Sequence, residues 1–199
     1  MKDRVSSIDA DAKALLFKEA RTHNGWLDKP IDKATLLELY ELIKWAPTSA
    51  NAQPARYVFL TSEAGKTRLK PHLSSGNIEK TSTAPVTVII AHDLAFFDDM
   101  AKNFPMKDMS GHYRNDHDAA ALMALRNGTI QGTYLMLAAR SIGLDVGAMS
   151  GFDHDGLDRE FFDGTTLRSN FLCNIGYGDP SKLFRRLPRY DFHEACQII

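Results

Sequence analysis

The sequence is short of cysteine, of net charge and of long apolar runs, and each scarcity excludes a class of protein. Its 199 residues include 2 cysteines, which cannot form a disulfide framework and lack the CxxC spacing of a redox or zinc motif. We therefore interpret Cys173 and Cys196 as reduced core residues of a cytoplasmic protein. The net charge of -1 gives no general attraction to nucleic acid or to an anionic membrane.

Sequence signals for membrane insertion and for metal binding are also lacking. Residues 1–20 do not contain the uninterrupted apolar run of a signal peptide. The densest apolar stretch, residues 84–91, has the length of one buried strand rather than that of a membrane span. None of the 7 histidines has HxxxH or HExxH spacing, so we expect no metal site.

What the sequence does contain is enough apolar residues for a core and a pattern of alternating elements. With 44% apolar content and this length, we expect one domain over residues 1–199. Helical periodicity is strong in residues 8–21, 35–45 and 119–142. Shorter helices are expected at residues 62–69, 77–80, 94–102, 155–162 and 190–199. Strands are predicted at residues 56–61, 85–91, 145–149 and 171–178, which indicates an α/β or α+β fold with a small sheet.

The longest predicted helix, residues 119–142, is apolar nearly all round, interrupted by Arg126, Asn127, Gln131 and Arg140. A helix of this kind must be buried on most sides. Because a chain of this length offers few other elements to cover it, we expect a partner subunit to do so. The preceding residues 104–118 are predicted to be an irregular excursion that covers a ligand pocket.

A polar loop, PTSANAQP at residues 47–54, separates the second long helix from the first strand. Pro47 stops the helix because proline has no N–H, and Pro54 favours extended geometry at Gln53. The loop carries hydroxyl and carboxamide groups and no charge, which suits a neutral polar ring or a phosphate better than a metal. An ordinary polar turn is the alternative interpretation.

Three small groups of polar residues have spacings that suit an anion or a polar ligand. Arg21 and His23 lie where the first helix ends, although cations there also complement a helix dipole. Asn77 and Lys80 share one face of a helical turn, although an exposed lysine is usually only solvated. The cations of the tail suit either a phosphate clamp or a solvated segment. They are Lys182, Arg185, Arg186 and Arg189.

Several weak motifs follow one another in a specific order along nearly the whole chain. They are ARTHNGW at 20–26, WAPTSAN at 45–51, Asn77-x-x-Lys80, MSGFD at 149–153, NIGYGD at 174–179 and RLPR at 186–189. In this order and spacing they resemble the FMN-dependent nitroreductase family. Within that family, the resemblance is greatest to members that reduce malonic semialdehyde in pyrimidine degradation.

The resemblance implies a fold, an assembly and a reaction. The fold would be an α+β sandwich in which helices flank a central mixed sheet, and two chains would form an intertwined homodimer. Two FMN sites would lie at the interface, each built from both subunits. Hydride would pass from NADPH or NADH through flavin N5 to a small-molecule acceptor, so no side chain need act as a nucleophile.

The resemblance also assigns residues to the FMN site. Arg21 and either Arg186 or Arg189 would hold the phosphate, with Thr22 and His23 beside it. At the ring, Lys80 with Asn77 would contact the polar edge near N1. The backbone of Ser150 and Gly151 would approach N5. The remaining contacts would come from Ala148 and Met149, from Asn127 and Gln131, and from the partner's loop, namely Pro47, Thr48, Ser49 and Asn51.

Four functions remain as alternatives at this stage. The first is reduction of malonic semialdehyde to 3-hydroxypropanoate, in which Arg56, Arg126 or His112 would bind the substrate carboxylate. The second is a broad reductase of nitroaromatics, quinones or enones, since a shared fold does not fix the substrate. The others are a non-catalytic flavin-binding dimer and a dimerisation module without flavin.

Overall fold

The four predicted strands form one antiparallel sheet in the computed structural model, which describes residues 7–199. The strands are β1 (Ala55–Leu60), β2 (Val86–Asp93), β3 (Asp145–Met149) and β4 (Leu167–Gly176), in the order β1-β2-β4-β3. The expectation of a mixed sheet was wrong in this respect, because every pair of neighbouring strands is antiparallel. Parallel pairing occurs at the isolated bridge between Thr22 and Val146.

Helices surround this sheet and confirm the α+β class. The α-helices are α1 (Ala10–Lys13), α2 (Lys33–Ile43), α3 (Glu63–Leu69), α4 (Ser75–Thr83), α5 (Met100–Asn103), α6 (Ser110–Asn115), α7 (His117–Ser141), α8 (His154–Phe162) and α9 (Phe192–Ala195). A π-helical turn, Ala14–Lys18, continues α1, so the first helix is shorter than predicted. The last helix is also shorter, because the tail around it makes few contacts with the sheet. Residues 1–6, on which part of the expectation of no signal peptide rested, lie outside the described residues.

Strand β2 is central, and the helices cover both of its faces. Every side chain from Val86 to His92 is buried, as its continuous apolar run predicts. On one face, Ile90 packs with Leu135 of α7 and Leu39 of α2. On the other face, Ile89 packs with Leu69 of α3 and Leu157 of α8.

The stretch before α7, predicted to be irregular, instead has a small core of its own. A 3-10 turn, Phe96–Asp99, leads into α5, and α6 follows. Phe96 stacks edge-on against Tyr113 with ring centroids 5.1 Å apart, and both rings are buried with Ala124 of α7. The prediction of a helix at 94–102 is met by the 3-10 turn and α5, and residues 104–109 contain no helix. The prediction of irregular structure was wrong for α6 and the start of α7, because buried aromatic contacts fix short segments that show no helical periodicity.

Helix α7 buries only one of its sides within the single chain. Its inner side includes Ala124 and Leu135, whereas the apolar residues Leu122, Leu125, Ile130 and Tyr134 are exposed. This exposed apolar side is the one for which the sequence predicts a partner subunit. Among residues 7–199, no helix is long and apolar enough to cross a membrane.

The two cysteines have different environments. Cys173 is fully buried in β4, and burial raises the pKa of its thiol to about 12. Cys196 is exposed after α9, so its assignment to the core was wrong. The apolar sequence around it does not reach the sheet, because the chain leaves the core after β4. Residues 7–199 contain no cluster of side chains able to hold a metal. The expectation of a single domain stays a prediction.

Gly147 in β3 provides a test of the contact between this strand and residues 22–26. A Cβ at Gly147 would lie 2.5 Å from the main-chain oxygen of His23 and 3.3 Å from the Trp26 ring. We expect Gly147→Ala to lower the free energy of unfolding by about 1–3 kcal/mol, because backbone must shift to relieve the overlap. Urea denaturation would measure it.

The matched control is Gly111→Ala in α6, where a Cβ meets nothing within 4 Å. This change should leave stability unchanged or raise it by up to about 1 kcal/mol, because alanine favours helix over glycine. Equal stability of both variants would contradict the close packing at Gly147.

Candidate functional site

The segment at residues 21–26 runs beside β3 at one edge of the sheet. The His23 N–H donates to the Val146 carbonyl at 3.0 Å, and Thr22 forms its bridge with the same residue. Further along, the Leu27 N–H donates to the Tyr177 carbonyl at 2.8 Å. These main-chain bonds hold the predicted Arg21-Thr22-His23 group against the strand that leads to Ser150.

Lys80 is fixed to this edge through its backbone. Its carbonyl accepts hydrogen bonds from Trp26 Nε1 at 2.9 Å and from Asn174 Nδ2 at 3.1 Å. Its ammonium lies 3.5 Å from the Asn24 side-chain oxygen, and partial burial lowers the pKa of Lys80. The position of Lys80 therefore depends on Trp26 and Asn174, which the sequence reasoning did not single out although both lie within its motifs.

The end of β3 presents main-chain donors beside Asn77. Asn77 Nδ2 donates to the Gly151 carbonyl at 2.7 Å, and the Ser74 N–H donates to the same oxygen at 3.0 Å. Within residues 7–199, the N–H groups of Ser150 and Gly151 donate to no acceptor. The predicted residues Asn77, Ser150 and Gly151 are thus together, and two N–H groups remain for a ligand. Ala148 and Met149 precede them in β3.

His23 is held by a carboxylate rather than pointing freely into solvent. Its Nε2 lies 3.2 Å from Asp145 Oδ1, and Asp145 Oδ2 accepts a hydrogen bond from the Gly178 N–H at 2.9 Å. A Cβ at Gly178 would overlap the His23 ring, so only glycine fits there. The hydrogen bond from His23 holds the pKa of Asp145 below its ordinary value, and that from Gly178 acts in the same direction.

A cavity of about 750 Å³ lies between the π-helical turn, α7 and the tail, and its lining is strongly cationic. Arg21 donates to the Phe184 carbonyl, and Arg186 Nη2 donates to the Ala20 carbonyl at 3.2 Å. These bonds join the tail to the end of the first helix. The cavity is also lined by Arg189, Thr22 and Asn24, so it adjoins the Lys80 group. Of its lining side chains in the described chain, none is acidic.

Asn127 and Gln131 of α7 hold the polar loop by its main chain. Asn127 Oδ1 accepts from the Ser49 N–H at 2.8 Å, and Gln131 Oε1 accepts from the Ala55 N–H at 2.9 Å. The loop has left-handed backbone at three positions: φ is 49° at Ala50, 48° at Asn51 and 45° at Gln53. The expected extended geometry at Gln53 was therefore wrong. Its N–H donates to Thr48 Oγ1 at 3.2 Å, a contact that helps fix the turn.

The predicted site residues fall into two groups that one chain does not bring together. The loop, with Pro47 and Asn51, precedes β1 at one edge of the sheet and is accompanied there by Asn127 and Gln131. The other predicted residues adjoin β3 at the opposite edge. Four strands span three intervals of about 4.8 Å, or roughly 14 Å.

The three candidates for a substrate carboxylate also differ in their surroundings. Arg56 is engaged by Asp93 at 2.9 Å and by the Gln53 carbonyl at 3.0 Å. Arg126 and His112 are exposed.

Comparison with known proteins decides the family. A model described as the nitroreductase family matches residues 18–177. The chain belongs to the nitroreductase family. Its fold is shared with solved structures that cover nearly all of both chains.

A nitroreductase-like protein of Exiguobacterium sibiricum, in complex with FMN, has a TM-score of 0.84 at 20% identity over 97% of this chain and 99% of its own. An enone reductase of gut-bacterial fatty acid saturation, CLA-ER, has a TM-score of 0.83 at 18% identity over 97% and 100%. A protein of Staphylococcus epidermidis described as an NAD(P)H:FMN oxidoreductase has a TM-score of 0.82 at 17% identity over 97% and 98%. At these identities the likeness concerns the fold.

The contact between His23 and Asp145 predicts a pH dependence of stability in this nitroreductase-family protein. Because the pKa of Asp145 is lower when folded than its ordinary 3.8, its stabilising effect is present above that value and is lost as the pH falls. Asp145→Asn should therefore flatten the decline of the free energy of unfolding between about pH 5 and pH 2. The carboxylate is 43% exposed, so solvent screening should keep the difference below about 1 kcal/mol.

Urea denaturation at several pH values would measure this, with the exposed Asp163→Asn as control. If Asp145→Asn and Asp163→Asn gave the same pH profile, the contact between His23 and Asp145 would have no influence on stability.

Proposed function

We propose that the protein is an FMN-dependent oxidoreductase that takes hydride from NADPH or NADH. The observation that carries this proposal is a continuous line of donors along the β3 edge. It begins in the arginine cavity, passes Asn24 and Lys80, and ends at the N–H groups of Ser150 and Gly151. These groups fit FMN, which offers a phosphate, a polar ring edge and a ring nitrogen that accepts a hydrogen bond.

Each part of this line would have one task. Arg21 and Arg186 bind and orient the phosphate, as bidentate donors do. Lys80 keeps a positive charge at the ring edge, which stabilises the charge that two-electron reduction adds. The N–H groups of Ser150 and Gly151 orient the ring. When bound, FMN supplies the hydride chemistry itself, so the protein needs no nucleophile.

The separation of the two residue groups supports a homodimer. Within one chain the polar loop lies at the opposite sheet edge from the arginine cavity. The exposed apolar residues of α7 offer a surface for a second copy, and the loop is attached to that helix through Asn127. In the proposed dimer, this loop reaches the FMN site of the partner, where Pro47, Thr48, Ser49 and Asn51 contact the flavin.

For the substrate, we propose malonic semialdehyde, which the enzyme would reduce to 3-hydroxypropanoate in the cytoplasm. The support is the resemblance of MSGFD, NIGYGD and RLPR to members with this activity. The second candidate is a broader reductase of nitro, quinone or enone compounds. It is favoured by the likeness in fold to an enone reductase and to an NAD(P)H:FMN oxidoreductase.

The visible spectrum of the purified protein tests the proposal. After addition of FMN and desalting, we expect one flavin per chain, bleached by NADPH under anaerobic conditions. Recovery of the oxidised spectrum on adding malonic semialdehyde would identify the proposed substrate. Recovery only with quinones or nitroaromatics would favour the broader reductase. Flavin that NADPH does not reduce would indicate a binding protein, and absence of bound flavin would overturn the proposal.

Lys80→Met tests the task of the ammonium. Losing one charged hydrogen bond to reduced flavin, worth about 1.5–3 kcal/mol, should lower the two-electron midpoint potential by about 30–60 mV. Potentiometric titration with a reference dye would measure it. Lys70→Met, which changes an exposed lysine after α3, serves as the control and should leave the potential unchanged. If neither variant changed the midpoint potential, the proposed contact between Lys80 and the flavin ring would be wrong.

A further inference from the structure

Arg140 lies in the last turn of α7 and lines the same cavity as Arg21 and Arg186. It also lines a smaller neighbouring cavity of about 340 Å³ with His23 and Asp145. The sequence reasoning treated it as an interruption of an apolar helix and gave it no function. It therefore adds a guanidinium from α7 to those that the tail contributes to the cavity.

Unlike the other arginines of the cavity described so far, Arg140 makes no hydrogen bond or ion pair within residues 7–199. Arg21 and Arg186 donate to main-chain carbonyls of the opposite segment, and Arg189 Nη1 donates to the carbonyls of Leu187 and Pro188. The carboxylate of Asp145 is already engaged by His23 and by the Gly178 N–H.

Arg140 is more withdrawn from water than the tail arginines, although none of its side-chain nitrogens is fully buried. It is half-buried, and the loss of hydration lowers its pKa even though the charge of Asp145 acts in the opposite direction. A guanidinium carries five N–H donors, and those of Arg140 have no acceptor in residues 7–199, so they remain available to a ligand in the cavity. Arg185 has no hydrogen bond within residues 7–199 either, but it is exposed, whereas Arg140 is half-buried in the cavity wall.

The cavity itself indicates which acceptor is missing. Its lining contains arginines from α7, from the segment after the first helix and from the tail, and no acidic side chain in the described chain, so it favours an anion with several oxygens. A phosphomonoester dianion has the charge and the oxygen geometry that guanidinium groups bind in pairs.

We propose that Arg140 binds a phosphomonoester dianion in this cavity, together with Arg186. Taking the phosphate of FMN as its source rests on the proposed function. The 2′-phosphate of NADPH has the same chemistry and is the other source. The competing explanation is structural: a cation in the last turn of a helix complements the helix dipole and needs no ligand.

Pairs of ligands that differ only in this phosphate separate the two explanations. Riboflavin is FMN without its phosphate, and NADH is NADPH without the 2′-phosphate. We would measure dissociation constants for FMN and riboflavin by fluorescence, and KM for NADPH and NADH, in Arg140→Gln and Arg140→Lys. The control, Arg159→Gln, changes an exposed arginine of α8 outside the cavity. Thermal unfolding of the flavin-free variants would check their folding.

We expect Arg140→Gln to weaken FMN binding by about 10- to 100-fold, as for the loss of a charged hydrogen bond, and riboflavin binding by less than about twofold. Arg140→Lys keeps the charge but not the paired donors, so its loss of FMN affinity should be intermediate. This variant would still be informative if Arg140→Gln did not fold. A change confined to NADPH relative to NADH would support the phosphate site and assign it to the nicotinamide donor.

Equal losses for FMN and riboflavin, or no loss for either pair, would overturn the proposal in favour of a structural role. Failure of the proposed function has a different signature, because the wild-type protein would then either bind neither flavin or bind FMN that NADPH does not reduce. If no flavin binds, phosphorus NMR would measure the binding of inorganic phosphate to the wild type and to Arg140→Gln. This measurement tests the cavity directly. Equal binding by both proteins would overturn the proposal.

Discussion

The main-chain contact between residues 21–26 and the sheet is the constraint on which the rest of the candidate site depends. It begins with the hydrogen bond from the His23 N–H to the Val146 carbonyl and ends with the Trp26 ring donating to the Lys80 carbonyl. The first bond uses only backbone atoms and leaves the His23 side chain free to contact Asp145, whereas the second uses the Trp26 side chain. The segment thereby links three otherwise separate parts, namely the tail, the turn at Lys80 and the end of β3.

Buried carboxamides have a similar part in the second half of the site. Asn127 and Gln131 lie on the buried side of α7, where unpaired amides would destabilise the fold. Their acceptors are matched to N–H groups of a loop whose left-handed residues cannot pair with a strand. The loop is thus held in a strained shape by a rigid helix, and its hydroxyl groups stay outside the core. This arrangement is suited to presenting polar groups to another surface.

Much of the fold could be predicted from the sequence, because all four strands and the longest helix carry strong apolar patterns. The antiparallel order of the sheet could not, since a strand pattern does not specify which neighbour pairs with it. The residues of the candidate site come largely from motif order, and their roles stay predictions. The motifs could not reveal which residues position others. For example, the Asn174 side chain donates to the Lys80 carbonyl and so fixes the backbone there. Arg140 carries no motif signal, and only its place in the cavity wall without a hydrogen-bond partner in residues 7–199 distinguishes it.

The bonds that close the arginine cavity join residues far apart in the sequence. Arg21 and Phe184 are separated by 163 positions, and Ala20 and Arg186 by 166. Loop-closure entropy disfavours contacts of such long range until the intervening chain is ordered. If the proposed anion binds between these ends, it would therefore act mainly on the native state. It would then slow unfolding more than it speeds folding.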